Sequence, residues 1–389
     1  MTPIIIISLF LLKVIAGLAI GWMSQKYYPG NDYWALDKDG LVEYKLMMSH
    51  PREFLTNIFI SPYKNGYTGF FNSIGSYWND LRYNIILKLI AFCDIFSRGN
   101  YYINSLFFNF FGFIGLVALF HVFDDIYKNK KWIIITGCFL LPSTLYFSSG
   151  IHKDLIVLTM LGIFCYALYF SFTQKFTLNR SIIIFISFVV LLFMRNFVAV
   201  ALIPVSIAYI LCIKKRFGPF PTFISIYALI FLVLLFLQYL VPSFQPLKII
   251  TQKQTDFLNL PTAATQLKTN VLEPGLKSFV KNIPQAIEHG FLRPYLWDTK
   301  GNFIFPFALE LLFYELLFLF VLFKNRFKPT LLNPFIIFSI FFAVSMLILT
   351  GLIIPNTGSI VRYKSIYLPF LITPLLCAFS CKKTNSNIH

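Results

Sequence analysis

Apolar residues along this chain fall into long unbroken runs separated by short charged stretches. Ten such runs lie at roughly 3–22, 101–123, 132–148, 154–173, 181–194, 197–213, 222–241, 302–323, 331–353 and 365–381. An α-helix rises 1.5 Å per residue, so about 20 residues cross a hydrocarbon layer about 30 Å thick. Inside lipid the backbone must satisfy its own hydrogen bonds, so runs of this length are helices. The two-residue alternation of a transmembrane barrel is missing. The pattern therefore predicts an all-α, polytopic transmembrane helical bundle of about ten spans, forming a single integral membrane domain over residues 1–389.

Two long segments interrupt the runs, at 23–100 and 242–301. The first carries apolar and aromatic residues interspersed with charge over 40–60 and 66–83, which suits helices lying in a membrane interface. The stretch 84–96 is apolar but short, with Lys88 and Asp94 inside it. It predicts an interfacial or re-entrant helix and not a span.

Charge orients the bundle. If the N-terminus is cytoplasmic, every inner connection is basic: Lys128, Lys130 and Lys131; Lys175 and Arg180; Lys214, Lys215 and Arg216; Lys324, Arg326 and Lys328; and Lys382 and Lys383. Cytoplasmic loops retain Lys and Arg, so both termini are expected inside. The segments 23–100 and 242–301 then lie outside, with short outer turns at 148–154 and 354–364 and a tight turn at Arg195-Asn196. The expected location is a bacterial cytoplasmic membrane with the chemistry on its outer face.

Composition agrees. Of 389 residues, 57% are hydrophobic and 13% charged, too few charges to cover a soluble domain of that length. The 33 basic against 16 acidic residues give a net charge of +17. Loop topology accounts for most of that excess, and no RNA- or DNA-binding signature accompanies it, so no nucleic-acid partner is expected. Cys93, Cys138, Cys165, Cys212, Cys377 and Cys381 sit in or beside apolar runs, with no zinc or disulfide spacing. The first run carries Lys13 at its middle and lacks a small-residue cleavage site after it, so it reads as a retained span.

The candidate chemistry gathers on the outer side. Asp32, Asp37 and Asp39 stand within eight residues where the chain leaves the first run, in PGNDYWALDKDG. A carboxylate beside an apolar surface holds its proton more tightly, or binds a cation or a hydroxyl group. The same residues also suit a turn and a helix cap. The turn SSGIHKDL sets His152, Lys153 and Asp154 together, able to hold phosphate or to act as acid and base, or simply to anchor the turn. Arg195, Arg293 and Arg362 reach the outer side from different spans. With Lys153 they would make a phosphate or pyrophosphate site if they converge. Glu310 and Glu315 in the eighth run and Lys13 in the first are membrane-embedded charges, for which mutual pairing is the expected arrangement. No P-loop, GxSxG, HExxH or paired CxxC is present, and the cofactor is left unknown, with a divalent cation still open.

Several segments together resemble bacterial multispan proteins related to the GT-C glycosyltransferases, of a kind found in Bacteroidetes-like bacteria. They are KVIAGLAIGWMSQKYYPGNDYWALDKDG, SYWNDLRYNIILKLIAFCDIFSRGNYYIN, LLPSTLYFSSGIHKDLI, LLFMRNFVAVALIP and GFLRPYLWD, with VRYKSIYLPFL near the C-terminus. The resemblance covers the first 210 residues and the stretch around 290–315. It implies a GT-C-like fold and a transferase that takes a sugar from a polyprenyl-phosphate-linked donor to a glycan, lipid or protein acceptor. Membrane lipids are the surrounding partners. The family's catalytic acid lies in the first outer loop near the end of the first span, where Asp32 matches by placement, with Asp37 or Asp39 as second carboxylate. The basic groups His152, Lys153, Arg195, Arg293 and Arg362 would neutralise the departing lipid phosphate. The sequence lacks the adjacent Asp-Glu pair of some members.

Two other classes fit the same layout. A polysaccharide polymerase of the O-antigen type would depend on the outer arginines more than on an aspartate. A glycolipid transporter or flippase would rely on broken helices, for which Pro142, Pro204 and Pro306 are the candidate sites.

Overall fold

The computed structural model describes residues 1–27, 31–63, 66–68, 75–215, 217–241, 244–261, 265–298, 303–324 and 333–380. Arg216, Arg326, Lys328, Lys382 and Lys383, which carry part of the charge argument, lie outside the described residues, as does Cys381. Among the described residues there are helices and no named strand, with one isolated bridge between Gln266 and Asn356.

The long apolar runs are helices. They are α1 (Pro3–Tyr27), α5 (Tyr101–Ile126), α8 (Lys153–Thr173), α10 (Asn196–Lys215), α11 (Pro219–Leu240), α14 (Phe305–Phe323), α15 (Pro334–Ile353) and α16 (Thr357–Phe379). These eight are long and apolar enough to cross a membrane, which makes this a multi-pass helical membrane protein. The run at 181–194 gives the shorter apolar helix α9 (Leu178–Met194).

The third expected span is not one helix. Residues 132–148 form α6 (Lys131–Phe139) and α7 (Pro142–Phe147), with a break at Leu140-Leu141. Pro142 has no N–H for the α-helical ladder, and its ring pushes the preceding residue out of the helical region. The other two prolines behave differently. α10 runs through Pro204, and Pro306 sits in the first turn of α14, where its missing N–H costs nothing.

The first long segment folds as α2 (Asp32–Ser49), the short α3 (Pro51–Thr56) and α4 (Tyr77–Ser97). Each start is locally encoded. Asn31 caps α2 by accepting from the backbone N–H groups of Tyr33 and Trp34, and Ser76 caps α4 by accepting from that of Asn79. The expected short helix at 84–96 is the second half of α4. At the far end of the chain α16 begins earlier than its apolar run, because Asn356 caps it at Ser359. Arg362 and Lys364 thus lie in its first turns instead of in a connecting turn.

The chain folds as two compact units. The first comprises 1–118, 145–164 and 183–196; the second comprises 119–144, 165–182 and 197–380 of the described residues. In the first, α2 packs along α4, and Lys88 ties them through Glu43 at 3.2 Å and Asn57 at 2.8 Å. α5 and α8 approach at Gly115 and Gly162. A Cβ on Gly115 would stand 2.3 Å from the Thr159 backbone, so only the smallest residue allows this crossing. In the second unit, α16 packs against α15, α6 and α14 around Tyr314, Leu317, Val321, Leu368 and Ile372.

Candidate functional site

The site of interest forms where α1 passes into α2 and α7 into α8, within the first unit. Its foundation is Lys13, fully buried in the middle of α1. The ammonium donates to the Ser148 carbonyl at 2.5 Å, to Ser148 Oγ at 3.0 Å and to Ser149 Oγ at 3.3 Å. The carboxylate partner expected from sequence is replaced by one carbonyl and two hydroxyls. A buried cation in lipid needs such acceptors, and here they come from the turn that carries His152. That turn bends at Gly150, whose φ of +88° is one that L side chains rarely adopt. Its N–H points to Asn109 Oδ1 at 3.4 Å.

His152 is 1% exposed and is held from both sides. The Asp154 backbone N–H donates to Nδ1 at 3.1 Å, and Asp154 Oδ2 stands 3.2 Å from the same nitrogen. The backbone N–H calls for a lone pair on Nδ1 and the carboxylate for a proton there, so the two contacts favour different tautomers. Nε2 faces Asp32 Oδ2 at 3.5 Å, at the limit of hydrogen-bond reach. Asp154 in turn is paired with Arg195, both buried. Arg195 occupies the one-residue break between α9 and α10, where the sequence places a tight turn. The Tyr33 ring packs on the imidazole with centroids 5.2 Å apart. The result is a chain of polar groups, guanidinium to carboxylate to imidazole to carboxylate, that ends on Asp32, which is 58% exposed. Lys153 is the first residue of α8 and is half-buried.

The other two carboxylates of the acidic cluster do different work. Asp37 is buried, and its Oδ1 accepts from Asn104 Nδ2 at 3.0 Å; the same amide donates to Asp94 Oδ1 at 2.6 Å. Burial pushes the Asp37 carboxyl up to about 6, with the neighbouring Asp94 adding to the rise and the Asn104 hydrogen bond opposing it. Asp39 accepts from the Tyr83 hydroxyl at 2.5 Å, joining α2 to α4. Burial and the Asp39 carboxylate raise the Tyr83 phenol. Only Asp32 of the three faces His152, because it opens α2 while Asp37 and Asp39 lie more than one turn further along.

Arg293 and Arg362 belong to the second unit. Arg293 is claimed by two carboxylates, Glu288 at 2.7 Å and Asp298 at 2.6 Å. Burial alone would lower its affinity for a proton, but those two carboxylates outweigh it and raise it. Arg362 lies one turn into α16, its guanidinium 5.7 Å from the centre of the Tyr363 ring. The membrane-embedded Glu310 accepts from Ser143 N–H at 2.9 Å, Ser143 Oγ at 3.0 Å and Tyr314 OH at 2.7 Å. Lys364, which sequence reasoning did not single out, is buried and donates to the Phe291 carbonyl at 3.0 Å and the Arg293 carbonyl at 2.6 Å. A lysine two residues after Arg362 reads as part of a basic turn until its helix is known to start at Thr357.

Among the described residues no three His, Cys, Asp or Glu side chains stand close enough to hold a metal ion. Cys93, Cys138, Cys165, Cys212 and Cys377 are free thiols. The architecture defines a multi-pass α-helical membrane protein with an exposed carboxylate at the start of α2, next to a buried histidine. No family model, curated protein or solved structure matches the chain.

Proposed function

We propose that this chain is a membrane glycosyltransferase of GT-C-like architecture. It would move a sugar from a polyprenyl-phosphate-linked donor to an acceptor at the outer face of a bacterial cytoplasmic membrane, in the assembly of a cell-surface glycan or lipid. The observation that carries this reading is Asp32: an exposed carboxylate at the end of the first span, backed by the buried His152, Asp154 and Arg195. As an acceptor hydroxyl attacks the anomeric carbon, Asp32 takes its proton. The bond from that carbon to the donor's phosphate oxygen breaks, and the phosphate leaves with the electron pair. His152 orients the base, Asp154 and Arg195 orient His152, and Lys153 is the nearest cation in sequence for the leaving phosphate.

The pairing of Arg195 and Arg293 favours a transferase over a polymerase that works through those two arginines. The Arg195 guanidinium meets Asp154 and that of Arg293 meets Glu288 and Asp298, so both charges are already matched within the protein. Asp32 is the more open charge of the first group.

The test is turnover of the full-length chain, reconstituted in vesicles with a polyprenyl-phosphate-linked sugar. Asp32→Asn fills the same space but cannot take the proton, and should lower turnover by about a hundredfold or more, while the protein remains folded and membrane-inserted. Wild-type turnover in that variant would remove Asp32 as the base.

A further inference from the structure

The second unit contains a cleft of about 610 Å³ that the Asp32 site does not use, within the size range of small-molecule sites. One part of its wall is the segment Thr265–Leu267. It is pinned to the turn between α15 and α16: the Leu267 N–H donates to the Pro355 carbonyl at 2.7 Å, and the Thr357 N–H donates to the Thr265 carbonyl at 3.1 Å. Other parts come from α13 (Leu276–Ile287) and the turns that follow it, with Gln285, His289, Arg293 and Trp297. The Asn270 N–H donates to Gln285 Oε1 at 3.2 Å, and Asn270 Nδ2 donates to Asn282 Oδ1 at 3.1 Å, so the amides are fixed in place.

The lining selects among ligand classes. Lys268, Lys281 and Arg293 are set against Glu288 and Asp298, and the guanidinium is already held by both carboxylates. Around Arg293 an anion would meet those two carboxylates beside a cation that is already matched, and the remaining two cations, Lys268 and Lys281, are exposed and screened by solvent. A polyhydroxylated neutral ligand fits better, since it needs donors and acceptors of both kinds. His289 is 3% exposed, lines the cleft, and among the described residues its Nδ1 has no hydrogen-bond partner. A buried polar nitrogen without a partner costs free energy that a ligand hydroxyl would recover. Trp297 is 79% exposed, its indole stacked on Tyr295 with centroids 4.8 Å apart and planes at 24°. It offers an electron-rich flat face to the C–H side of a sugar ring.

We infer that this cleft is a saccharide-binding site for a neutral glycan, with Trp297 as the stacking platform and His289 and Gln285 as hydroxyl partners.

The experiment lays the fluorescently labelled full-length protein, in detergent, on an array of short neutral oligosaccharides of hexoses, deoxyhexoses and N-acetylhexosamines. Retention on at least one glycan is expected. Trp297→Ala and His289→Ala should each weaken it about tenfold or more, with Trp297→Phe keeping most of it. Because Trp297 is exposed, Trp297→Ala leaves the thermal midpoint unchanged, so it decides the matter even if His289→Ala fails to fold. Retention on no glycan, retention indifferent to Trp297→Ala, or displacement of the glycan by millimolar inorganic pyrophosphate would each overturn the inference. Asp32→Asn should leave retention intact. Full transfer by Asp32→Asn sinks the catalytic reading and spares the cleft, whereas transfer without glycan retention does the reverse.

Discussion

At the residue scale the acidic cluster shows how one residue type takes three roles within eight positions. Asp32 stays open to solvent, Asp39 is tied to a phenol, and Asp37 is buried beside Asp94. The last has a consequence for stability. The Asp37 carboxyl sits at about 6 when folded, above the ordinary carboxylate value of about 4 in an unfolded chain. Below pH 4 both states hold the proton and the site is neutral in the balance. As pH rises through the window from 4 to 6 the unfolded chain gives up its proton first, so stability falls, and above 6 the loss is complete. Asp37→Asn keeps the acceptor for Asn104 and removes the charge. We expect its advantage over wild type to be negligible at pH 4 and on the order of 2–3 kcal/mol at pH 7.5, read as thermal midpoints in detergent. A pH-independent difference would show that Asp37 is not the titrating group.

At the scale of elements the molecule is held where helix ends meet. The Asp154–Arg195 pair joins the start of α8 to the end of α9, and it is buried on both sides. Removing one member of a buried pair leaves an uncompensated charge, so Arg195→Met should cost about 3–5 kcal/mol. Replacing both, as Asp154→Asn with Arg195→Met, should recover part of that loss. The coupling between the two substitutions should be about 1–3 kcal/mol. Simple additivity in a thermal double-mutant cycle would mean that the pair does not act as a unit. The α6–α7 break belongs to this scale as well. A proline that α10 carries without interruption stops a helix at Pro142, because two leucines before it give up the helical conformation and Ser143 beyond it is taken by Glu310.

At the scale of the whole molecule the basic connections predict an orientation. Cysteine placed singly at Lys128, Lys215 or Arg326, in a background without other reactive thiols, should resist a membrane-impermeant maleimide in intact cells. It should react in inverted vesicles, because all three belong to basic stretches between apolar runs that are expected inside. Labelling of any one of them from outside would overturn this orientation and with it the outer face proposed for Asp32.

The apolar runs by themselves determined that the chain is helical, that it spans a membrane several times, and where most helices lie, since lipid leaves the backbone no other choice. The tight turn at Arg195 is equally local and equally legible. Partnership is not local. Which of three aspartates faces His152 depended on the start of α2 and on Lys13 gripping a turn 135 residues away. The cleft around His289 and Trp297 arose from a segment with no membrane-length apolar run to mark it, closed by backbone bonds to the α15–α16 turn. Contacts between distant parts of the chain carry no signature in the order of residues, so only the tertiary structure decided them.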